Sequence, residues 1–453
     1  KKYIVILLLV GCTKKSDFVN VEVIDKPKID STNISIKNYQ VTSQEINFEL
    51  PNISISQLYG TSTNSVAGFL NYSKDGIENV IITPSTQTQD LYPVHFYKKD
   101  NVWTYENYYS NVQIGSIRNY EKISDGSYVY ADHGREYGTT WPYGHIWKFE
   151  TIDNKLKWTQ VSKVKSFFHS VSTGDFNSDG LIDIVGLHMG TFNNWYDNLH
   201  TFTQNTNTTF DENREILTSV NFRGPYGAGS VLSVNLFGDS KPEIIRADYG
   251  FNDDQASNFI RYSIVIFSYD DKTKFYEPVR KPGVIGIFTN NKSASTSMKA
   301  FDYDKDGDLD LAIAYEGVNN GIEIWENKGD GNFLPTNQRI EFTEQELQFR
   351  EFEIADVNND GYIDILLHPF HYGLFFRDGR TTYTFGDFGT GIKLNKCILL
   401  NNKGKFEFYQ KDITIPNIKP GFMKASFINN KLKFMGLEYN SNKLLLHEIN
   451  INL

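Results

Sequence analysis

Residues 302–310, which read DYDKDGDLD, constrain the fold more than any other stretch of this sequence. Oxygen ligands at positions 1, 3 and 5, a glycine at 6 and a backbone carbonyl at 7 make a loop that suits a hard cation such as calcium. A helical EF-hand would carry Glu at position 12, where this chain has Ile313 within an apolar run. The pattern therefore predicts a metal loop between two β-strands. Its ligands are Asp302, Asp304, Asp306, the carbonyl of Asp308, and Asp310 at position 9.

The same pattern occurs twice more, each time followed by an apolar run. An Asp/Gly-rich hairpin turn that binds no metal is the alternative for any single copy. Three copies favour three calcium sites, because four carboxylates held close together without a cation would repel one another. The second copy consists of Asp175, Asn177, Asp179, the carbonyl of Leu181 and Asp183, and the third of Asp356, Asn358, Asp360, the carbonyl of Tyr362 and Asp364.

Weaker relatives of this loop begin near residues 71, 121, 235 and 427, which gives seven units separated by 50 to 71 residues. Each unit continues with strand-like runs, and GIEIWENKGDGNF at 321–333 shows the third strand, the turn and the fourth strand. Seven repeats of four antiparallel strands predict an all-β fold, a seven-bladed β-propeller. A linear β-solenoid is the runner-up, but its repeats are much shorter than these.

These units resemble the FG-GAP/VCBS repeats, a family of calcium-loop propeller blades that includes the integrin α-subunit head. The resemblance covers roughly residues 60–453 and rests on the three complete loops and their following strands. It implies a propeller with metal at those loops. It leaves activity open, because related propellers serve as adhesins, lectins and, in some families, polysaccharide lyases.

The strand count also predicts how the ring closes. The last unit has three strands before the chain stops, so one outer strand is missing. The alternating segment QEINFEL, residues 44–50, precedes the first blade. We expect this segment to complete the seventh blade and remove an exposed sheet edge.

The start of the sequence predicts a processing signal. LVGC, residues 9–12, follows a short apolar run and resembles the lipobox of bacterial lipoproteins, which implies a lipid on Cys12. About eight apolar residues are too few for a membrane helix, which needs ~20. The predicted organisation is a signal peptide over 1–12, a polar linker over 13–40 and the propeller over 41–453, lipid-anchored in the bacterial cell envelope at the outer membrane or cell surface.

Composition narrows the partners. The chain of 453 residues carries a formal net charge of −10, which argues against nucleic acid. The content of 15% aromatic residues indicates a folded protein. The two cysteines, Cys12 and Cys397, imply no disulfide framework. We expect a monomer.

Long irregular segments connect the second and third predicted strands, so they fall on the face opposite the metal loops. On that face we expect His133 and His169 to lie near the central channel. A structural hydrogen bond that pins a loop is the alternative role for each histidine. The further candidates for ligand contact are Arg135, Trp141, His145, His368, His371 and Arg377, with Arg223, Tyr226 and Arg380.

Two functions remain open at this point. A surface-anchored, calcium-stabilised module for adhesion, with a glycan or a protein as its ligand, needs only stiff blades and an aromatic, polar loop face. A polysaccharide lyase or related carbohydrate-active enzyme would need a His or Tyr base and a cation for the enolate. No spacing in the sequence joins such residues into a catalytic site, so we favour the binding module.

Overall fold

A computed structural model describes the blades of the protein and leaves several connecting segments undescribed. All described residues belong to the compact unit Lys37–Leu453. They are residues 38–46, 67–72, 78–83, 94–100, 102–107, 117–123, 125–134, 144–153, 155–188, 198–206, 209–213, 228–238, 240–248, 264–279, 293–317, 321–329, 331–341, 348–370, 391–393, 397–409, 414–416, 424–428, 430–437 and 444–452.

Every described element is a β-strand, and seven four-stranded antiparallel sheets form the blades of a β-propeller. The chain therefore has the all-β fold that its repeats predict. Blades 1 to 3 contain β2 (Ala67–Tyr72), β3 (Glu78–Thr83), β4 (Val94–Lys99) and β5 (Val102–Asn107); β6 (Ile117–Lys122), β7 (Tyr128–Asp132), β8 (Ile146–Ile152) and β9 (Lys155–Gln160); and β10 (Phe168–Gly174), β11 (Asp183–His188), β12 (Asn198–Gln204) and β13 (Phe210–Asn213).

The remaining blades follow the same order from the innermost strand outward. Within the described part of the chain, no helix is long and apolar enough to span a membrane. Blades 4 to 6 contain β14 (Ala228–Val234), β15 (Glu243–Asp248), β16 (Ile264–Asp270) and β17 (Phe275–Pro278); β18 (Ser293–Phe301), β19 (Asp310–Gly317), β20 (Gly321–Asn327) and β21 (Phe333–Glu341); and β22 (Gln348–Ala355), β23 (Asp364–Phe370), β25 (Ile398–Asn401) and β26 (Phe406–Phe408), with β24 (Gly391–Lys393) and β27 (Thr414–Pro416) paired beside blade 6.

Blade 7 joins the two ends of the unit. It contains β28 (Lys424–Ile428), β29 (Lys431–Leu437) and β30 (Leu444–Asn452), and β1 (Asn38–Ile46) pairs antiparallel with β30 as its outer strand. The prediction that an N-terminal strand closes the last blade is confirmed. The strand begins at Asn38 rather than Gln44. It pairs with β30 along its whole length, from Asn38 opposite Asn452 to Ile46 opposite Leu444. Residues 47–50 of the expected strand lie outside the described residues.

The blades pack through apolar faces. Between blades 5 and 6, Phe301 and Ile324 lie in one buried cluster with Phe352 and Leu367. Similar clusters join blade 2 to 3, blade 3 to 4 and blade 4 to 5. Strand residues that read as continuous apolar runs are thus buried on both sides of a sheet, which explains runs such as LAIAY in β19.

The innermost strands are also joined by polar contacts. The N–H of Val171 in blade 3 donates to Oδ1 of Asn119 in blade 2 (3.1 Å), and the N–H of Val231 in blade 4 donates to Oγ of Ser170 in blade 3 (3.1 Å). The N–H of Thr173 likewise donates to a carboxylate oxygen of Glu121 (3.1 Å). Side chains of one blade therefore satisfy backbone donors at the channel edge of the next blade.

Candidate functional site

The loop 302–310 of blade 5 brings four carboxylates together. One oxygen from each of its aspartates at positions 1, 3, 5 and 9 lies within 4.8 Å of the others. Oxygen-only donors at this spacing are the set that a hard cation requires. The chain therefore forms an acidic cluster that could hold a metal ion, at Asp302, Asp304, Asp306 and Asp310.

The three complete loops share one backbone conformation. Position 4 is left-handed in each, at Ser178 (φ 62°), Lys305 (φ 66°) and Asn359 (φ 56°). Position 6 is also left-handed, and Gly307 has φ 99°, a conformation that a residue with a Cβ rarely adopts. These two reversals aim successive N–H groups inward: the N–H of Gly307 donates to Oδ2 of Asp302 (3.1 Å).

The carboxylate at position 9 ties each loop to its blade. In blade 5, Asp310 accepts the N–H groups of Tyr303 in the loop (3.1 Å) and Asn327 at the end of β20 (2.8 Å). Asp183 and Asp364 accept equivalent pairs of N–H groups in blades 3 and 6. Position 9 was predicted as a metal ligand only, and the structure adds this anchoring role.

Burial raises the pKa of these three anchoring carboxyls. The pKa of Asp310 rises to about 7, because burial outweighs its two backbone hydrogen bonds and Asp304 and Asp306 add repulsion. Burial similarly raises the pKa of Asp364 to about 7 and that of Asp183 to about 6. A bound cation would favour the ionised forms.

One oxygen of the blade 5 cluster provides a test of whether a cation suits the site. Oδ1 of Asp302 is buried, and no described donor reaches it. A buried carboxylate oxygen without a hydrogen bond is costly unless a positive charge lies beside it. The donor set and this oxygen both fit a cation held by Asp302, Asp304, Asp306 and Asp310.

The loops of blades 3 and 6 differ from that of blade 5 at position 3. Asn177 donates its amide N–H to Oδ2 of Asp179 (2.9 Å), and Asn358 does the same to Asp360 (2.9 Å). Blade 5 has Asp304 at this position. The amide replaces one carboxylate with a donor, so these two loops carry less internal repulsion than the loop of blade 5.

The backbone carbonyls predicted as ligands belong to residues at position 7 of each loop. Their N–H groups donate to the aspartate at position 5, over 2.8 Å for Leu181, 3.0 Å for Asp308 and 2.8 Å for Tyr362. Adjacent loops also touch: Nζ of Lys305 lies 3.8 Å from the centre of the Tyr362 ring. The acidic loops of blades 5 and 6 are therefore neighbours on one face.

The loop of blade 4 keeps the length of the metal loops but changes their chemistry. Phe237 occupies position 3 and packs against Gly331 of the β20–β21 turn, where an added Cβ would lie 2.3 Å from the Phe237 ring. Nζ of Lys241 lies 3.4 Å from the centre of the Tyr269 ring. Glu243 at position 9 still accepts the N–H of Leu236 (2.8 Å). An apolar ring therefore stands at position 3, where the complete loops have the side-chain oxygens of Asn177, Asp304 and Asn358.

Blade 2 has no nine-residue loop. Glu121 and Lys122 lie within β6, where Glu121 pairs with Val129 and Lys122 pairs with Tyr128. The segment 121–129 aligned with the metal loops in sequence is therefore a tight hairpin. Asp125 in its turn lies 3.4 Å from Nζ of Lys148, so a lysine supplies the positive charge there.

The structure brings together His133 and His169 on the opposite face. Their ring centroids are 4.5 Å apart, and the ring of Phe167 lies 4.9 Å from that of His133. His133 follows β7 and His169 lies near the start of β10, so both occupy the strand ends away from the metal loops. The contact joins the end of β7 in blade 2 to the start of β10 in blade 3, and the expected position near the central channel stays a prediction.

A close backbone approach shapes the segment around His133. Gly144 pairs with Ser166 through two hydrogen bonds of 3.0 Å. A Cβ at Gly144 would lie 2.0 Å from the carbonyl oxygen of Asp132, so only glycine allows this approach. Oδ1 of Asp132 accepts the N–H of Gly134 (2.9 Å) and fixes the turn after His133.

His145 and His368 do not join the His133–His169 pair through any described contact. Nδ1 of His145 donates to the carbonyl oxygen of Ser162 (3.0 Å), and burial lowers the pKa of His145. Nδ1 of His368 lies 3.8 Å from a carboxylate oxygen of Glu351. His145 therefore fits the alternative role of a histidine whose hydrogen bond holds a loop in place. The candidates Arg135, Trp141, His371, Arg377, Arg223, Tyr226, Arg380 and Cys12 lie outside the described residues.

Sequence reasoning missed a polar group inside the central channel. The hydroxyl of Tyr120 in blade 2 donates to Oε1 of Glu353 in blade 6 (2.9 Å). Burial raises the pKa of Glu121 in blade 2, and the positive charge of Lys299 in blade 5 opposes this shift. The signal available in sequence was charged residues within otherwise apolar innermost strands, but only the ring arrangement makes them neighbours.

With this geometry in place, residues 302–367 match the family described as FG-GAP-like repeat. This chain is a β-propeller that contains an FG-GAP-like repeat. The matched segment runs from the blade 5 metal loop to β23 in blade 6, and it includes both the Asp302 and the Asp356 loops.

Searches for similar proteins gave matches only among solved structures, at low sequence identity. No curated protein matches this chain by sequence. Among solved structures, the periplasmic gluconolactonase of Pseudomonas aeruginosa matches at 9% identity over 82% of this chain and 96% of that chain, with a TM-score of 0.44. An extracellular domain from B. thetaiotaomicron matches at 9% identity over 89% of this chain and 39% of that chain, with a TM-score of 0.46.

Proposed function

We propose that this propeller is a calcium-stabilised binding module whose ligand site lies on the face opposite the metal loops. One observation carries the proposal: the carboxylate cluster and the His133–His169 contact occupy opposite ends of the strands. The two faces therefore have separate chemistry. Calcium would stiffen one face, and the other face would contact a glycan or protein ligand.

Calcium suits the metal loops better than a transition metal, because their donors are carboxylate, amide and backbone oxygens only. In blade 5 the ligands would be Asp302, Asp304, Asp306, Asp310 and the carbonyl of Asp308. In blades 3 and 6, Asn177 and Asn358 would each supply an amide oxygen in place of one carboxylate. The cation would neutralise the repulsion that these loops otherwise carry.

The loop face offers the mixture of groups that a saccharide or a polar peptide needs. His133 is buried and His169 is half-buried, and Phe167 packs beside them. Imidazole nitrogens exchange hydrogen bonds with hydroxyl groups, and the buried ring of Phe167 supports the His133 ring. This pair is therefore the centre of the proposed ligand face.

A glycan array probed with the soluble propeller, followed by titration of each hit, tests the proposal. The variant His169→Gln should weaken binding about tenfold or more with little change in the melting temperature, because it keeps a polar side chain at a half-buried position. The matched variant Asp304→Ala should lower the melting temperature in calcium and leave ligand affinity unchanged. Normal binding by His169→Gln together with loss of binding by folded Asp304→Ala would place the ligand on the metal face instead.

We also propose that the propeller is anchored by a lipid on Cys12 at the bacterial cell envelope and acts as a monomer. The LVGC sequence supports the anchor. Replacement of Cys12 by Ser should abolish labelling by a fatty-acid analogue and release the protein from the membrane fraction. Unchanged membrane association of the Cys12→Ser protein would contradict the anchor.

A further inference from the structure

A chain of hydrogen bonds connects the acidic loops of blades 5 and 6. The carbonyl oxygen of Tyr303, the second residue of the blade 5 loop, accepts a hydrogen bond from Nδ2 of Asn401 (2.7 Å). Asn401 is buried at the end of β25 in blade 6. Its N–H donates to Oδ1 of Asp364, the acid at position 9 of the blade 6 loop (2.7 Å). One residue of blade 6 therefore contacts both loops.

The equivalent residue of blade 5, Asn327, bonds within its own blade. Like Asn401, it ends the third strand and donates its N–H to the acid at position 9 of its own loop (2.8 Å). Its Oδ1 accepts the N–H of Gly329 (3.1 Å), as Oδ1 of Asn401 accepts that of Gly404 (2.8 Å). Nδ2 of Asn327 donates to the carbonyl oxygen of Leu309 in the same loop (3.1 Å). The two asparagines therefore share two contacts and differ in whether the third crosses to another blade.

The turn 401–405 of blade 6 also packs against a predicted metal ligand. A Cβ added at Gly404 would lie 3.2 Å from Cβ of Asp304, at position 3 of the blade 5 loop. Gln338 on the outer strand of blade 5 holds the same turn: its Nε2 donates to the carbonyl oxygen of Gly404 (2.6 Å), and its Oε1 accepts the N–H of Phe406 (2.8 Å). The position of this turn is therefore tied to blade 5 as well as to the blade 6 loop.

The two loops differ in how closely their acids converge. Among the described residues, a group of three or more acidic side chains converges to within 4.8 Å only in the blade 5 loop. In the blade 6 loop the amide of Asn358 donates to Oδ2 of Asp360 (2.9 Å), so one carboxylate oxygen is already engaged. The blade 5 loop is therefore the better preorganised of the two for a cation.

We propose that the loops of blades 5 and 6 bind calcium cooperatively, and that Asn401 is the positioning residue that couples them. Binding that orders the blade 5 loop fixes the Tyr303 carbonyl, and Asn401 then holds Asp364 in place. The second loop loses less conformational entropy when it binds, which gives positive cooperativity. This inference rests on the proposed function, because it requires calcium at both loops. It adds an order of binding in which blade 5 comes first.

Calcium titrations of the intact propeller against a chromophoric chelator test the coupling. Asp179→Ala removes a predicted ligand of blade 3 and leaves the pair of sites in blades 5 and 6. Addition of Asp360→Ala leaves only the blade 5 site, and addition of Asp306→Ala leaves only the blade 6 site. All three aspartates are exposed, so their loss should not unfold a blade. The product of the two binding constants of the pair, divided by the product of the two single-site constants, is the coupling factor.

The coupling factor should be about fivefold or more, and the blade 5 site alone should bind more tightly than the blade 6 site alone. The factor should persist in high salt, which screens direct interaction between charges. Asn401→Ala should bring the factor to about one, because the contact between the blades is lost. The matched control Asn327→Ala should keep the factor, because that side chain bonds within its own blade. Melting temperatures of both variants show whether the blades fold.

The outcomes separate this inference from the proposed function. A factor of about one in the Asp179→Ala protein would overturn the cooperativity and leave the calcium sites standing, and this comparison holds even if Asn401→Ala unfolds. A factor that vanishes in high salt, or that persists in folded Asn401→Ala, would overturn the role of Asn401. Tighter binding by the blade 6 site alone would overturn the order of binding. Absence of calcium binding to the unaltered propeller would overturn both this inference and the calcium part of the proposed function.

Discussion

Blades 4 and 5 are neighbours with loops of equal length, yet the two loops are stabilised differently. In blade 5 the loop gathers four carboxylates around a buried oxygen of Asp302. In blade 4 the loop places Phe237 against Gly331 of the next blade and sets Lys241 over the ring of Tyr269. Both loops are tied to their blade by the acid at position 9, Asp310 or Glu243. The two loops thus share their length and their anchoring acid but differ in the chemistry of their inner positions.

This difference shows which part of the loop is structural in every blade. The acid at position 9 accepts backbone N–H groups whether or not carboxylates surround it, so it anchors the loop. Positions 3 and 5 decide the chemistry inside the loop. In blade 4 position 3 is Phe237 instead of an oxygen ligand, and the anchoring acid Glu243 remains.

Removal of calcium should produce the largest effect. If the three loops bind calcium with dissociation constants near 10⁻⁴ to 10⁻³ M, millimolar calcium adds about 1 kcal/mol per site, roughly 3 kcal/mol in total. Chelation should therefore lower the melting temperature by several degrees, measured by calorimetry with and without EDTA. A melting temperature that is indifferent to EDTA would refute calcium binding.

Substitutions in the loops of blades 4 and 5 should differ in whether their loss of stability depends on calcium. Phe237→Ala should cost roughly 2 kcal/mol, less than the ~3–5 kcal/mol of a fully buried phenylalanine because Phe237 is half-buried. The loss should be the same with calcium and with EDTA. Asp306→Ala should destabilise only in calcium. Urea unfolding of both variants in both buffers checks this pattern, and a calcium-dependent loss in Phe237→Ala would show that blade 4 binds metal too.

Acid should weaken calcium binding at the blade 5 loop through protonation of Asp310. Its pKa of about 7 lies above the ordinary value of 3.8, so in the metal-free protein the stabilising protonated form persists at low pH and is lost as pH rises through about 7. Calcium needs the ionised form, so its apparent affinity should fall about tenfold per pH unit below 7. Calcium titrations at several pH values measure this slope. Asp310→Asn serves as the control, and an unchanged affinity at pH 5.5 in the original protein would contradict the prediction.

The smallest expected effect comes from one amide. Asp304→Asn gives blade 5 the donor that Asn177 and Asn358 provide in blades 3 and 6. In EDTA the variant should gain about 0.5 kcal/mol, because a carboxylate repulsion becomes a hydrogen bond. The reverse change, Asn177→Asp, should cost a similar amount in EDTA. Equal stability of both variants and the parent in EDTA would show that repulsion is unimportant in these loops.

Much of the architecture follows from local sequence. The DxDxDGxxD spacing fixes the turn, because positions 4 and 6 must be left-handed and Gly307 meets this need. Alternating and apolar runs after each loop specify strands, and the repeat length specifies four strands per blade. The missing outer strand of blade 7 predicts closure, and β1 supplies it. These features are determined within a few tens of residues.

Where the repeat pattern is weak, the sequence predicts the wrong local structure. Segment 121–129 resembles a degenerate metal loop in sequence, but Glu121 lies within a strand and pairs with Val129. The Glu121 carboxylate accepts a hydrogen bond from the N–H of Thr173 in the next blade. The sequence predicts the closing strand at residues 44–50, but the strand begins at Asn38, and this start depends on its register with β30. Register is a property of the paired partner, which a single segment does not contain.

The sequence by itself determined the blade, its loop chemistry and the number of blades, because each depends on neighbours close in the chain. Only the tertiary structure decided which residues face each other across the ring. Tyr120 and Glu353 are 233 residues apart and meet because blades 2 and 6 face the same channel. His133 and His169 meet because one blade ends where the next begins. Such contacts depend on ring closure, a condition that local sequence patterns do not encode.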